Sequence, residues 1–377
     1  MTTSGSTALR AFAVVFAAGF SAPTFAQEIG DPIPDSYICV FKPGPINVGL
    51  EARSSLAKVG GQVTHVYQHA LHGFAAHLSS AAVGALVAHN PMIDYCEQDR
   101  IAGIPDGATA TARPGGGGGG GTTQTIPWGV ARLGGPGNGL GKTAWVIDSG
   151  IDPTHPDLNF DGSRSMSFLT NDTSVADANG HGTHVAGIIA AKDNTIGVVG
   201  VAAGAKVVSL RVLDRRGNGP DSGVIAAIDY AASGVAQLGD VANLSLITTF
   251  SQAMNTSVVN LGAMGVFVAI AAGNNAADAS AYSPASASGT NVYTVSAFQK
   301  TDTWATFSNF GSPVDFSEPG VSILSTYKGG GYATLSGTSM AAPHLAGLML
   351  LYGTNFVTGG QVSGDPDGQP DPIAVIK

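Results

Sequence analysis

From residue 124 onward, short apolar runs of strand length alternate with longer runs of helical length. Strands are expected at 143–147, 207–212, 241–246, 265–271 and 291–297, and helices at 182–191, 223–232, 254–264 and 338–351. A strand that feeds a helix returns to the same sheet in parallel, and the helices then cover both faces. The expected fold class is therefore α/β, a doubly wound, mostly parallel sheet with helices on both faces. In such a sheet, residues just past the carboxyl ends of the strands line the binding crevice.

Three residues stand out by that rule. Asp148 directly follows the buried run 143–147. His181 lies between two glycines where a helix opens, so its ring can approach other groups closely. Ser339 follows a Gly-Thr pair and begins the last helix, where the positive end of the helix dipole favours developing negative charge. Each has an ordinary explanation when taken singly: a cap, a turn residue, an N-cap serine. Together they supply a nucleophile, a base and a group to orient the base.

The chain before residue 124 divides into three pieces. Residues 1–26 read as a secretory signal peptide, with Arg10, an apolar core at 11–20 and a small-residue cleavage site ending at Ala26. Residues 37–104 show strands and helices in the order β-α-β-β-α-β, the last strand expected at 92–96. Cys39 and Cys96 fall on the first and last of these strands, where they either pair after export or remain two half-buried thiols. Residues 105–122, with seven consecutive glycines from Gly115 to Gly121, read as a flexible, protease-accessible linker. A formal charge of −9 argues against nucleic acid or an anionic membrane surface as partner. No run beyond residue 26 is long and apolar enough to span a bilayer.

The order Asp, His, Ser is that of subtilisin. Val-Ile-Asp-Ser-Gly at 146–150, Gly-His-Gly-Thr-His-Val-Ala-Gly at 180–187 and Gly-Thr-Ser-Met-Ala-Ala-Pro-His at 337–344 carry the resemblance further. From about residue 124 to 351 the chain resembles the subtilisin/proteinase K family of serine proteases. Tyr-Gln-His-Ala-Leu at 67–71 and Gly-Phe-Ala-Ala at 73–76 resemble its inhibitory propeptide. There is no Gly-x-Ser-x-Gly elbow and no His-Glu-x-x-His zinc motif to favour a rival hydrolase class.

The resemblance implies a signal peptide (1–26), an inhibitory ferredoxin-like propeptide (27–104), a linker (105–122) and a catalytic domain (123–377). The product is expected to be a secreted, monomeric serine endopeptidase that acts on proteins and peptides and is inhibited by its own propeptide. The precursor is expected to cut itself near Gly121 to Thr123. Ser339 is implied as nucleophile, His181 as general base and Asp148 as the residue that fixes the imidazole, with His184 structural. Asn274, in Ala-Ala-Gly-Asn-Asn at 271–275, is implied as an oxyanion donor. Ser245, Leu246 and Ile247 form one substrate-binding segment, and Ala271, Ala272 and Gly273 another.

Where the family usually has Ser-Leu-Gly-Gly, this chain has Ser-Leu-Ile-Thr at 245–248. If Ile247 enters the pocket, small residues such as Ala are preferred before the cut. If it turns into the core, specificity stays broad. The same departure keeps open a second class, a weak or inactive relative acting as a binding or structural protein. Structural calcium is implied at a first site made by side-chain oxygens of Gln124, Asp157 and Asn194 with the carbonyls of Lys192, Ile196 and Val198. A second site would use Asp315 with the carbonyls of Thr290 and Val292. Residues 352–377 look loop-like, where the family usually packs a further helix.

Overall fold

The computed structural model describes residues 28–105 and 123–377. The expected signal peptide and most of the linker lie outside the described residues.

The first domain contains β1 (Pro32–Phe41), α1 (Val48–Val59), β2 (Gln62–Tyr67), β3 (Gly73–His77), α2 (Ser80–His89) and β4 (Ile93–Gly103). The expected β-α-β-β-α-β order holds. The two helices start at Asn47 and Ser79, whose side chains accept from the N–H groups of Leu50 and Ala82. β1 lies between β3 and β4, and its register sets Cys39 opposite Cys96. The two cysteines form a disulfide with Cα atoms 4.0 Å apart. The choice left open by the sequence is thus decided by strand pairing.

β4 runs seven residues beyond the expected end at Cys96. The apolar run stops there, and Glu97 to Arg100 carry no strand signal of their own. β1 holds Glu97, Gln98 and Arg100 extended, and the last three residues, Ile101 to Gly103, are also paired from the second domain. The short strand β5 (Asn218–Pro220) joins the first domain's sheet, setting Pro220 opposite Ile101, Gly219 opposite Ala102 and Asn218 opposite Gly103.

The second domain is the expected α/β sheet. Its first helix and strand are α3 (Trp128–Arg132) and β6 (Thr143–Asp148). The central parallel strands stand in the order Val314–Pro319, Val292–Gln299, Phe267–Ala271, Val241–Leu244, β6 and Lys206–Arg211. From β6 the chain goes first to one side and then to the other, so the topological switch lies at β6 and Asp148 at its carboxyl end.

Period-two alternation along β6 explains the two faces. Trp145 and Ile147 join a core cluster with α5 (Asp221–Tyr230) and α6 (Gln252–Ala263). Ala144 and Val146 join the opposite cluster with α4 (His181–Ala190) and α7 (Thr338–Tyr352). The C-terminal segment forms a hairpin of Val357–Gln361 with Pro372–Val375 rather than a helix. Its end is tied to the domain by Ile376 N–H to the Leu133 carbonyl, 2.8 Å.

Candidate active site

Asp148 and His181 come together, and both are buried, as is Ser339. Asp148 ends β6, and Ser149 N–H holds its Oδ1 at 2.6 Å. His181 is the first residue of α4, and its Nδ1 lies 2.9 Å from both Asp148 oxygens. This contact requires a glycine next door. A Cβ on Gly182 would lie 2.2 Å from the Gly150 carbonyl and 3.2 Å from Asp148 Cβ. Asp177 fixes the start of the helix by accepting from the N–H groups of Asn179, Gly180 and Thr183. His184, one turn on, is fully buried and sits 3.1 and 3.0 Å from the carbonyls of Ile323 and Ala333. Burial lowers its pKa to about 3, so it is a neutral structural residue, as expected.

Ser339 is the second residue of α7, and its hydroxyl donates to the Ser245 carbonyl at 3.3 Å. His181 Nε2, the atom that would take its proton, is buried and has no hydrogen-bond partner. Asn274 is oriented from behind: its Oδ1 accepts from Thr338 N–H at 2.9 Å and Thr338 Oγ1 at 2.8 Å. That fixes which end of the amide faces the cleft. Its Nδ2 then donates to the carbonyl of Pro105 at 3.4 Å. Asn309 holds the adjoining loop, donating to the Ala272 carbonyl at 2.9 Å and accepting from the N–H groups of Asn275 and Ala277. Thr338, Asn309 and Asp177 were not identified from the sequence. Each is a single polar residue whose role depends on partners far along the chain.

The two segments expected to bind substrate lie at the carboxyl ends of central strands. Ser245 to Ile247 follow the strand Val241–Leu244, and Ala271 to Gly273 follow from Phe267–Ala271. The first is already paired. Gly103 and Ile247 exchange both hydrogen bonds, each 2.9 Å, and Ile104 N–H donates to the Gly217 carbonyl at 3.0 Å. The end of the first domain thus runs as a strand between two segments of the second. By antiparallel register, Pro105 stands opposite Ser245 and Ala102 three residues before it. Ile247 is buried beneath this strand. The carbonyl beside Asn274 belongs to Pro105, whereas the expected processing region at Gly121 to Thr123 lies mostly outside the described residues.

Three carboxylates of the domain contact reinforce this docking. Glu97 accepts from Gln252 N–H at 3.2 Å and Ala253 N–H at 3.4 Å at the start of α6. Asp99 accepts from Ser222 N–H, 3.0 Å, at the start of α5. Both place negative charge at the positive end of a helix. In return, Asp229 of α5 collects the N–H groups of Gln68, His69 and Ala70 at 2.7–3.0 Å.

The first expected calcium set converges. Asp157 accepts from Asn194 Nδ2 at 2.7 Å and from Val198 N–H at 3.1 Å. Gln124 reaches the carbonyls of Lys192, 2.9 Å, and Val198, 3.4 Å, while Ile196 N–H meets Asn194 Oδ1 at 2.7 Å. One carboxylate, two amides and backbone carbonyls gathered at one place fit the oxygen chemistry of calcium. Among the described residues no group of three or more His, Cys, Asp or Glu side chains could hold a metal, so carbonyl and amide oxygens would have to supply most ligands. In the second set, Asp315 accepts from Thr294 N–H at 2.8 Å, and the Thr290 carbonyl packs against Gly262.

Comparison with known proteins agrees with this geometry. Residues 142–355 match the profile of the Subtilase family. Proteinase R of Parengyodontium album is 38% identical over 334 residues, 85% of this chain and 79% of that protein. The cuticle-degrading protease of Metarhizium anisopliae is 34% identical over 87% of this chain and 82% of that protein. The crystal structure of a cold adapted subtilisin-like serine proteinase, 36% identical, superposes with a TM-score of 0.58 over 66% of this chain and 98% of its own.

Proposed function

The chain belongs to the subtilase family of serine endopeptidases, and from that premise we propose that it is a secreted, self-processing proenzyme using Asp148, His181 and Ser339. Ser339 Oγ attacks the scissile carbonyl as His181 Nε2 takes its proton. Asp148 holds Nδ1–H and stabilises the imidazolium. The tetrahedral oxyanion forms between Asn274 Nδ2 and the Ser339 N–H at the start of α7. His181 then passes the proton to the leaving amine, and water hydrolyses the acyl-enzyme by the reverse roles.

The observation that carries this reading is the docked strand. Its Pro105 carbonyl meets Asn274, and its backbone is paired on one side by Ile247, of a segment expected to bind substrate, and on the other by residues 217–220. Residues 27–105 then act as an intramolecular inhibitor, and the bond presented for self-cleavage is Pro105–Asp106. The 17 residues 106–122 have a contour length of roughly 58 Å, at about 3.4 Å each. At the far end of this stretch, Thr125 N–H bonds the Gly197 carbonyl beside the calcium set. Calcium is proposed as a structural ion held by Asp157, Gln124, Asn194 and the carbonyls of Lys192, Ile196 and Val198. It cross-links the domain's first residues to the loop after α4 and takes no part in the chemistry.

The test is a fluorophosphonate probe on the processed protein, with N-terminal sequencing of precursors. Labelling at Ser339 and a new terminus at Asp106, both lost in Ser339→Ala, are expected. A Ser339→Ala precursor cut at the same bond with no other protease present would refute self-processing.

A further inference from the structure

Asp221 is the first residue of α5 and directly follows Pro220, which pairs with Ile101 of the docked strand. It is 1% exposed. Its Oδ2 accepts from Thr248 Oγ1 at 3.2 Å, and the same hydroxyl lies 3.4 Å from the Ile101 carbonyl. Its Oδ1 has no hydrogen-bond partner. The carboxyl therefore stands beside the peptide joining Ile101 to Ala102, and the first domain lays no donor on its free oxygen. The charged groups that act on it are Asp99, Glu97 and Arg100. The two acids repel it, and Arg100 turns its guanidinium to the Gly30 carbonyl, 2.8 Å. Burial, then Asp99, pushes the Asp221 carboxyl well above its ordinary range while the first domain covers it.

An acid kept here with one oxygen unpartnered is costly to bury. It does nothing for α5 that Asp99 does not already do for the adjacent N–H of Ser222. Nor is it needed by the docked strand, whose backbone is paired through residues 101–104. Once that strand leaves, the carboxyl faces the path of a substrate. Ala102, the fourth residue before the presented bond, shares a core cluster with Leu246 and Val224. Val224 stands one helical turn from Asp221, on the same face of α5. The fourth side chain of a bound peptide thus enters beside the carboxylate.

Resting on the endopeptidase reading above, the geometry points to Asp221 as a specificity-determining residue that selects a cationic side chain, Lys or Arg, four residues before the cut bond. The propeptide's own Ala102 leaves that interaction unmade, so the released inhibitor binds without it and a basic substrate gains it.

The experiment uses the processed enzyme and fluorogenic peptides that differ only at the fourth residue before the cut, Lys against Met, which match in length. A hydrogen bond to a charged group is worth enough for a kcat/KM ratio of about tenfold in favour of Lys. Asp221→Asn should bring that ratio to about one, and Asp221→Glu should keep Lys preferred. In the wild type alone, the ratio should fall as pH is lowered from 8 to 4 and the carboxylate takes a proton; titration of His181 cancels because both peptides use it. This second measurement holds even if a variant fails to mature. Hydrolysis of both peptides with a ratio near one, or a ratio independent of pH or of Asp221→Asn, overturns this inference alone. Hydrolysis of neither overturns the endopeptidase reading and this inference with it.

Discussion

Replacing Pro105 by alanine should speed self-processing. Pro105 stands opposite Ser245 in the register set by Gly103 and Ile247, at a position where an ordinary residue would give its N–H to the Ser245 carbonyl. Proline has no N–H. The Ser245 carbonyl is taken instead by the Ser339 hydroxyl, which is thereby turned from His181 Nε2. That bond must break before attack. At 3.3 Å it is long, so it belongs in the lower half of the usual net range, about 0.5–1 kcal/mol. In Pro105→Ala the backbone N–H satisfies the carbonyl and the hydroxyl is free for His181. The barrier falls by the same amount, which is roughly a two- to fivefold faster first cut. The assay is the appearance of the Asp106 terminus in purified, refolded precursor, quenched over time at two protein concentrations to confirm a unimolecular step. A rate equal to or below that of the wild type would refute the reasoning.

Three other outcomes are expected. In the Ser339→Ala precursor, which cannot digest itself, excess chelator should lower the melting temperature, and Asp157→Ala should remove most of that sensitivity; a ligand at a hundredfold excess over its Kd is worth about 2.7 kcal/mol. If Ile247 restricts the pocket for the residue before the cut, wild type should favour Ala over Phe there, and Ile247→Gly should raise kcat/KM on the Phe peptide roughly 5- to 150-fold; equal Phe efficiency in the two proteins would exclude the restriction. Asp371, buried against Ser296 Oγ at 2.7 Å, has its pKa raised to about 7, chiefly by burial. The folded state therefore holds this proton when the unfolded chain has lost it, so its contribution falls as pH rises from about 4 to about 7. Asp371→Asn should flatten the melting temperature across that window.

The expected set of Asp148, His181 and Ser339 is legible because each member is held by its immediate sequence. Gly182 lets α4 approach β6, and Gly-Thr-Ser opens α7 with the hydroxyl at its start. Alternation along β6 likewise foretold which side chains meet which helices. The unread parts depend on partners elsewhere. Residues 97–100 are polar and carry no strand period alone; they are held extended by β1, and 101–103 are paired by β5 and Ile247. The hairpin strand Val357–Gln361 is exposed throughout, so no apolar period marks it. Asp221 reads as an ordinary helix-start acid until its neighbours are known to include a foreign strand rather than water. The flexibility of the glycines shows in composition, whereas the docking of Pro105 shows only in pairing.

The disulfide sits wholly inside the segment proposed to be discarded. The chain has two cysteines, and both are in the first domain. Closing a loop with a separation of 57 residues is worth about 4 kcal/mol by the chain-entropy estimate, a large share of what a domain of this size can muster. A reducing agent present during biosynthesis would therefore weaken the inhibitor before it had docked and lower the yield of processed enzyme. The same agent added after the inhibitor has gone would find no sulfur–sulfur bond to attack. The protein's redox history would then be recorded in how much enzyme was made and not in how long each molecule survives.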